Sequence, residues 1–293
     1  MKRILALSVL LISVGPFLLA QSPTKPSFMD AAVIQHNGAS RVLTANFPSP
    51  LSQAIEAISQ EYGWTVDFED PHYTSHFDLV DDTDPKWRAN HPTAKGVVRV
   101  AGGFFQSNFP EPSTITTGDP EEQVLQKLVA DYNASGNPGK FVVRKEAEGR
   151  YAVIGVSRKD ENGRDEAVNA LLDTPISIPV QQRDAKATLR LIVDTLSADT
   201  DVNVHLGTIG LSSDPLQEAT LTLGGSNVPA RTLLLQALDG ISSTSPHFRG
   251  IFVWNFLFDA DTNAYWLRIR AATKTVSNAG GRQTIQFLRY PGN

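Results

Sequence analysis

Apolar and polar residues alternate across 42–47, where Leu43, Ala45 and Phe47 mark one face of a half-buried strand. A helix is predicted next, because Leu51, Ala54, Ile55 and Ile58 stand at i, i+3, i+4 and i+7 and share one stripe. Ser49 is placed to accept a hydrogen bond from a first-turn amide, and Pro50 suits the first helical position. Gly63 ends the helix, since glycine takes the left-handed conformation without steric cost. Trp64, Val66 and Phe68 then alternate as a second strand.

The same order returns later in the chain. Ile176, Ile178 and Val180 alternate, Asp184 is the candidate cap, and Leu189, Ile192, Val193 and Leu196 repeat the stripe. An offset of 138 residues maps the first four stripe positions onto the second four, and carries Trp64, Val66 and Phe68 onto Val202, Val204 and Leu206. Helix and following strand held in one register indicate an internal duplication. Asp201 replaces the glycine stop. Each half continues to a second helix: Asp119-Pro120-Glu121-Glu122 has capping-box spacing ahead of Val124, Leu125, Leu128 and Val129, and Val228-Pro229-Ala230 opens the helix of Leu234, Leu235 and Leu238. A strand before each second helix is expected at 97–100 and 219–223. Hairpins close the halves, at 141–145 with 151–156 and at 251–258 with 264–270, through the turn residues Glu148-Gly149 and Asp261-Thr262-Asn263. The expected fold is α+β: two tandem modules, each two helices packed on small mixed sheets in a βαβ-βαββ order.

Five segments follow from this plan: a leader over 1–20, a first module over 40–156, a linker over 157–172, a second module over 173–271 and a polar tail over 272–293. The leader has Lys2 and Arg3 before a 16-residue apolar run at 4–19, shorter than the roughly 20 residues that span a bilayer, and it closes on Ala20. A signal peptide and export to the periplasm are expected, with no integral span after cleavage. Stretches 70–96 and 277–293 are expected as surface loop or disorder. The chain has no cysteine, so disulfides, thiol catalysis and lipid attachment at cysteine are excluded. Two of its 26 basic residues lie in the leader, which leaves 24 against 31 acidic ones, a net of −7. Without a cluster of Lys and Arg, nucleic acid is a poor partner.

The stretch Phe47-Pro48-Ser49-Pro50-Leu51-Ser52-Gln53-Ala54-Ile55, continuing to Gly63-Trp64-Thr65-Val66, resembles the short N-terminal domain shared by secretins and TonB-dependent receptors (the STN domain). Asn227-Val228-Pro229-Ala230 with Leu234-Leu235-Gln236-Ala237-Leu238 resembles that family's second helix. The resemblance implies a periplasmic domain without a cofactor that binds an envelope protein: a secretin, pilus or TonB-system component. No pore or barrel domain accompanies the two copies, and the first carries insertions after Asp70 and around Gly102. A non-enzymatic adaptor is the expected role.

Asp67, Glu69, Asp70, His72, His76 and Asp78, with His91 farther on, form the richest polar cluster. His72 and His76 would share a helical face, yet no recognised metal-ligand spacing is present, and no metal site is expected. A hydrolase using the cluster, or a glycan-binding protein using exposed Trp64 and Trp87, is the alternative function. No Gly-x-Ser-x-Gly elbow occurs, and Gly102-Gly103 and Gly224-Gly225 read as turns or bulges beside strands. The run Phe252-Val253-Trp254-Asn255-Phe256-Leu257-Phe258 is apolar on both alternating faces, which suits a strand covered by helices on one side and by the sister module on the other. Trp254, Phe256 and Trp266 are the candidate partner-binding residues, on the expectation that they stay partly exposed.

Overall fold

The computed structural model describes residues 32–207, 215–245, 247–278 and 282–290, so the leader lies outside the described residues. In the first half a hairpin of β1 (Val33–Asn37) and β2 (Ser40–Ala45) leads into α1 (Pro50–Tyr62) and β3 (Thr65–Glu69). An insertion follows, with β4 (Leu79–Asp81), α2 (Pro85–Asn90) and β5 (Val98–Val100). Then come β6 (Phe105–Pro110), α3 (Pro120–Ala134), β7 (Lys140–Ala147) and β8 (Arg150–Lys159). The second half holds β9 (Asp165–Ala167), β10 (Pro175–Asp184), α4 (Ala185–Thr200), β11 (Asn203–Leu206), α5 (Pro215–Glu218), β12 (Thr220–Pro229), α6 (Ala230–Thr244), β13 (Phe252–Asp259) and β14 (Ala264–Ala271). A last hairpin is formed by β15 (Thr273–Ser277) and β16 (Gln283–Phe287).

The fold is α+β and its two halves share one wiring. In each, the strand before the first helix pairs antiparallel with the strand before the second, β2 with β6 and β10 with β12. In each, the strand after the first helix pairs parallel with the last strand of the closing hairpin, β3 with β8 and β11 with β14. The halves are not strung apart. β13 adds to the edge of β3 in parallel, with Asn255 opposite Phe68 and Phe256 opposite Glu69, giving one sheet in the order β11-β14-β13-β3-β8-β7.

Strand register sorts the side chains of that sheet. Val66, Phe68, Tyr151 and Val153 face α1 and α3, where Leu51, Ile55, Ile58, Leu125 and Leu128 are fully buried. Trp254, Phe256, Tyr265 and Leu267 face the opposite way, against Leu189, Ile192, Leu234 and Leu238 of α4 and α6. The two helix pairs therefore cover opposite faces of the common sheet. Each buried Leu or Ile of these stripes contributes roughly 1.5–3 kcal/mol of transfer free energy.

Several expectations change. Ser49 makes no side-chain cap bond, whereas Asp119 accepts from the amides of Glu121 and Glu122, and Asp184 from Ala187 at 2.7 Å. The strand before α3 is β6. Residues 98–100 instead form β5, paired with β4 inside the insertion. Val180 is 69 % exposed, because the β10–β12 register shifts between Ile178 and Gln181. A Cβ on Gly224 would lie 2.4 Å from the Val180 nitrogen, so only glycine lets the backbones approach there. Stretch 70–96 is not mere loop: Pro71, Tyr73, Ser75 and Asp78 are buried, and Tyr73 joins the second half's core. The linker holds β9, paired with the end of β8, and the first half begins at β1 rather than at 40. The polar tail is the β15–β16 hairpin, which lies against α1: a Cβ on Gly63 would come 2.9 Å from Lys274 Cδ.

Candidate functional site

The polar cluster of the first insertion divides as soon as its side chains are placed. Asp67 and Glu69 alternate onto the α6 side of β3 and are fully buried. Arg150 grips Asp67 with two bonds, Nε to Oδ2 at 2.8 Å and Nη2 to Oδ1 at 3.2 Å, while the Trp254 amide donates to Oδ1 at 2.9 Å. Glu69 accepts from the Leu172 amide at 3.0 Å and from Arg231 of α6. Arg231 also bonds Asp173 at 2.8 Å and lies over the Trp254 ring, 5.2 Å from its centroid. Arg144 grips Asp173 with two further bonds at 2.9 and 2.8 Å. Burial raises the pKa of Asp173, but the Arg144 fork and the single Arg231 bond outweigh it and hold the group down at about 2.

Asp70 closes the same junction by backbone and side chain together. Its amide donates to the Phe256 carbonyl at 3.0 Å, its Oδ2 accepts from the Phe258 amide at 3.1 Å, and its carbonyl accepts from the Tyr265 hydroxyl at 3.2 Å. Burial, with Glu69 nearby, pushes this carboxyl up to about 7 despite the Phe258 hydrogen bond. These three carboxylates tie β3 to the second half, and they do not converge with the histidines. His72 reaches Asn263 at 3.3 Å, His76 lies beside Phe77, and Asp78 accepts from the Lys159 amide at 2.6 Å. Among the described residues no group of three or more His, Asp or Glu is arranged to hold a metal. Gly103 donates its amide to Asn137 at 2.7 Å.

The aromatic strand is corrected in part. Trp254 and Phe256 are 0 % exposed, because their side of β13 is the one packed under α4 and α6, so neither can meet a partner as an exposed anchor. Trp266 is half-buried on the other face. Trp87 is partly exposed and stacked on His91 at 4.8 Å, and Trp64 is stacked on Tyr62 at 4.8 Å.

Trp266 lines a cleft between the halves. The second half's helices leave one face of β13 and β14 uncovered, and α1 of the first half rises beside it. The resulting space is about 570 Å³. One wall is the start of α1, with Ser49, Ser52 and Glu56. The floor is the open sheet face, with Asn255 opposite Arg268 and Leu257 opposite Trp266, and Arg99 of β5 borders it. Neither Trp64 nor Trp87 lines it.

The chain matches no family model, no curated protein and no solved structure. The cleft's chemistry must therefore be taken from its own residues. Asn255 and Arg268 were not singled out in the sequence, although one signal was there: Asn255 is the only polar side chain within Phe252-Val253-Trp254-Asn255-Phe256-Leu257-Phe258. A polar residue kept at the centre of a two-sided apolar strand asks for a partner.

Proposed function

We propose that the protein is a non-enzymatic periplasmic adaptor whose two STN-like copies act together in an envelope secretion, pilus or TonB-linked system. The observation that carries this reading is the composite cleft: one wall belongs to the first copy, the floor to the second, and neither copy alone contains it. A surface made only by joining the copies gives the duplication a binding purpose. Its Trp266 and Arg268 belong to the residue types that dominate binding energy at protein interfaces.

The hydrolase alternative depended on Asp67 to His76 meeting in one concave site. Asp67 and Glu69 are instead sealed in ion pairs on the opposite face of the sheet, and His76 faces Phe77. The geometry lends that alternative no support at those residues. The test is recovery of the tagged mature protein from gently solubilised, cross-linked envelopes of its own host. Specific recovery of a secretin, pilus or TonB-system component is expected. Recovery of no protein beyond the bait, or of wall polymer alone, would overturn the adaptor reading.

A further inference from the structure

The common sheet leaves two edges that match each other. From one end it runs β11-β14-β13 in the second half and then β3-β8-β7 in the first. Both triplets are built alike: the strand after the first helix pairs parallel with the last hairpin strand, which pairs antiparallel with the first hairpin strand. The halves join where the first hairpin strand of one, β13, lies parallel to the post-helix strand of the other, β3. That joint leaves one strand of each type over. β7 is the first hairpin strand of the first half, β11 is the post-helix strand of the second, and among the described residues they are the two ends of the order. A joint between unlike surfaces that leaves one of each unused propagates from molecule to molecule.

Direction and register carry over as well. Because β3 and β13 are parallel, the two triplets run in opposite senses, and their helices cover opposite faces. A half-turn about the line across the strands, with an advance of one triplet, relates them. The same operation applied again lays β7 of one chain parallel to β11 of another. The pair Val66 and Tyr151 matches Val204 and Tyr265, and the pair Val143 and Val153 matches Phe256 and Leu267. Val142 and Val143 are thus the counterparts of Asn255 and Phe256, as Leu206 and Gly207 are of Phe68 and Glu69. Since Asn255 lies opposite Phe68 and Phe256 opposite Glu69, Val142 falls opposite Leu206 and Val143 opposite Gly207.

The main chain is turned outward at both edges. Phe141 donates its amide to Asn133 Oδ1 and accepts from Asn133 Nδ2, both at 2.9 Å, so it faces away from β8. By alternation Val143 and Lys145 face the same way, and no described residue pairs with their amides or carbonyls there. On β11 the Val204 amide turns to Ser197 Oγ at 2.9 Å, and Leu206, two residues on, presents its main chain on that side without a partner among the described residues. Val142 is 44 % exposed, an apolar side chain on an open edge. The inner joint is locked by Asp67 and Glu69 with Arg150 and Arg231, whereas His205 and Gly207 stand at the matching places of β11. The outer joint lacks those buried ion pairs and is the weaker of the two.

We infer that β7 of one molecule adds in parallel to β11 of a second copy, so that the mature chain assembles head to tail, reversibly, into a ribbon with one continuous sheet. This goes beyond the adaptor reading and uses neither the cleft nor an envelope partner, so each fails or stands without the other.

The chain has no cysteine of its own, so introduced thiols report alone. The test mixes full mature chains carrying Val142→Cys with others carrying Leu206→Cys, at about 0.2 mM under mild oxidation. The mixed disulfide dimer is expected to form about tenfold faster than in a mixture of Val142→Cys with Val180→Cys, whose second site is 69 % exposed on β10. Within one chain Val142 and Leu206 lie at opposite ends of the strand order, about 24 Å apart, so a chain carrying both substitutions cannot close on itself and should yield a ladder of multiples. In sedimentation the unsubstituted chain should gain mass with concentration in single-chain steps. Val142→Lys, a charge on the edge that leaves the core untouched, should move that gain to about tenfold higher concentration. Trapping no faster than in the Val180→Cys control would overturn the assignment. So would Val142→Cys homodimers outnumbering the mixed dimer, the mark of a symmetric pairing, or a single-chain mass up to about 1 mM.

Discussion

The two faces of the sheet at the β3–β13 junction differ in how their polar groups are treated. On the α6 face, Asp67 and Glu69 are buried against Arg150 and Arg231, and Leu172 and Trp254 give their amides to the same carboxylates. On the α1 face, Asn255 and Arg268 line the cleft, and neither side chain has a hydrogen-bonding or ionic partner among the described residues. A buried ionic network specifies how the halves dock, even with Arg231 Nη1 and Trp254 Nε1 left without a hydrogen-bond partner, whereas the open face keeps its polar groups at a cleft. A structural junction and an open cleft floor thus share one strand.

Removing one member of the buried ionic network should be the costliest change. Glu69→Ala leaves the Arg231 charge buried with Asp173 as its remaining close partner, and a loss of about 3–5 kcal/mol in denaturant unfolding is expected. A loss under about 1 kcal/mol, the range of exposed pairs, would show that the junction is solvated and erase the contrast between the faces.

Asp70 tests the same face through pH. Its folded pKa of about 7 lies above the ordinary 3.8, so the folded state holds the proton more tightly than the unfolded chain. Its contribution is therefore most favourable below about pH 4 and is lost as pH rises to about 7. Asp70→Asn keeps an oxygen for the Phe258 amide, and should stabilise the protein by a few kcal/mol near pH 8 and change little near pH 4. Asp173, held at about 2, works in the opposite sense: its contribution is present above the ordinary 3.8 and disappears as pH falls through 2. Parallel pH profiles for Asp70→Asn and the parent would count against the buried, cation-free carboxyl.

Gly63 tests the outer flank of the first copy. At φ +74 and with Lys274 overhead, Gly63→Ala should cost about 1–2 kcal/mol in thermal unfolding, and no measurable loss would place the β15–β16 hairpin elsewhere. The smallest effect is expected on the open face. Arg268→Gln should alter stability by less than about 0.5 kcal/mol, since Arg268 has no ionic or hydrogen-bonding partner among the described residues; a larger loss would make it part of the fold's own network.

How much of this was legible in the sequence depends on range. Leu51, Ala54, Ile55 and Ile58, their counterparts at 189–196, and the caps Asp119 and Asp184 follow from local periodicity and local hydrogen bonding, and they stand where expected. The α+β class came from those repeats. Ser49 failed as a cap although it has the right residue type, because type alone does not set the side-chain direction. The junction was invisible for a different reason. Arg231 meets Glu69 across 162 positions and the Trp254 amide meets Asp67 across 187, and no periodicity encodes a contact at that separation. The same holds for the cleft, whose wall and floor come from different copies. The tail misled through composition: Ile285 and Phe287 are 72 % and 58 % exposed, so its strands resemble loop by polarity yet pair with one another.

The position of Arg231 also sets an order of events during synthesis. When the first copy has emerged, Glu69 and Asp67 lie on a strand whose outer edge is bare, and Glu69 has no guanidinium until α6 has been made. Asp67 can meet Arg150 at once, but the backbone that completes its shell arrives only with β13. The first copy is thus a waiting half, with an open strand edge of the kind that invites pairing with other chains. Contacts so distant in sequence form late, since the intervening chain must be closed before they are gained. The open edge of β3 persists until β13, whose Asn255 and Phe256 pair with it, has been made.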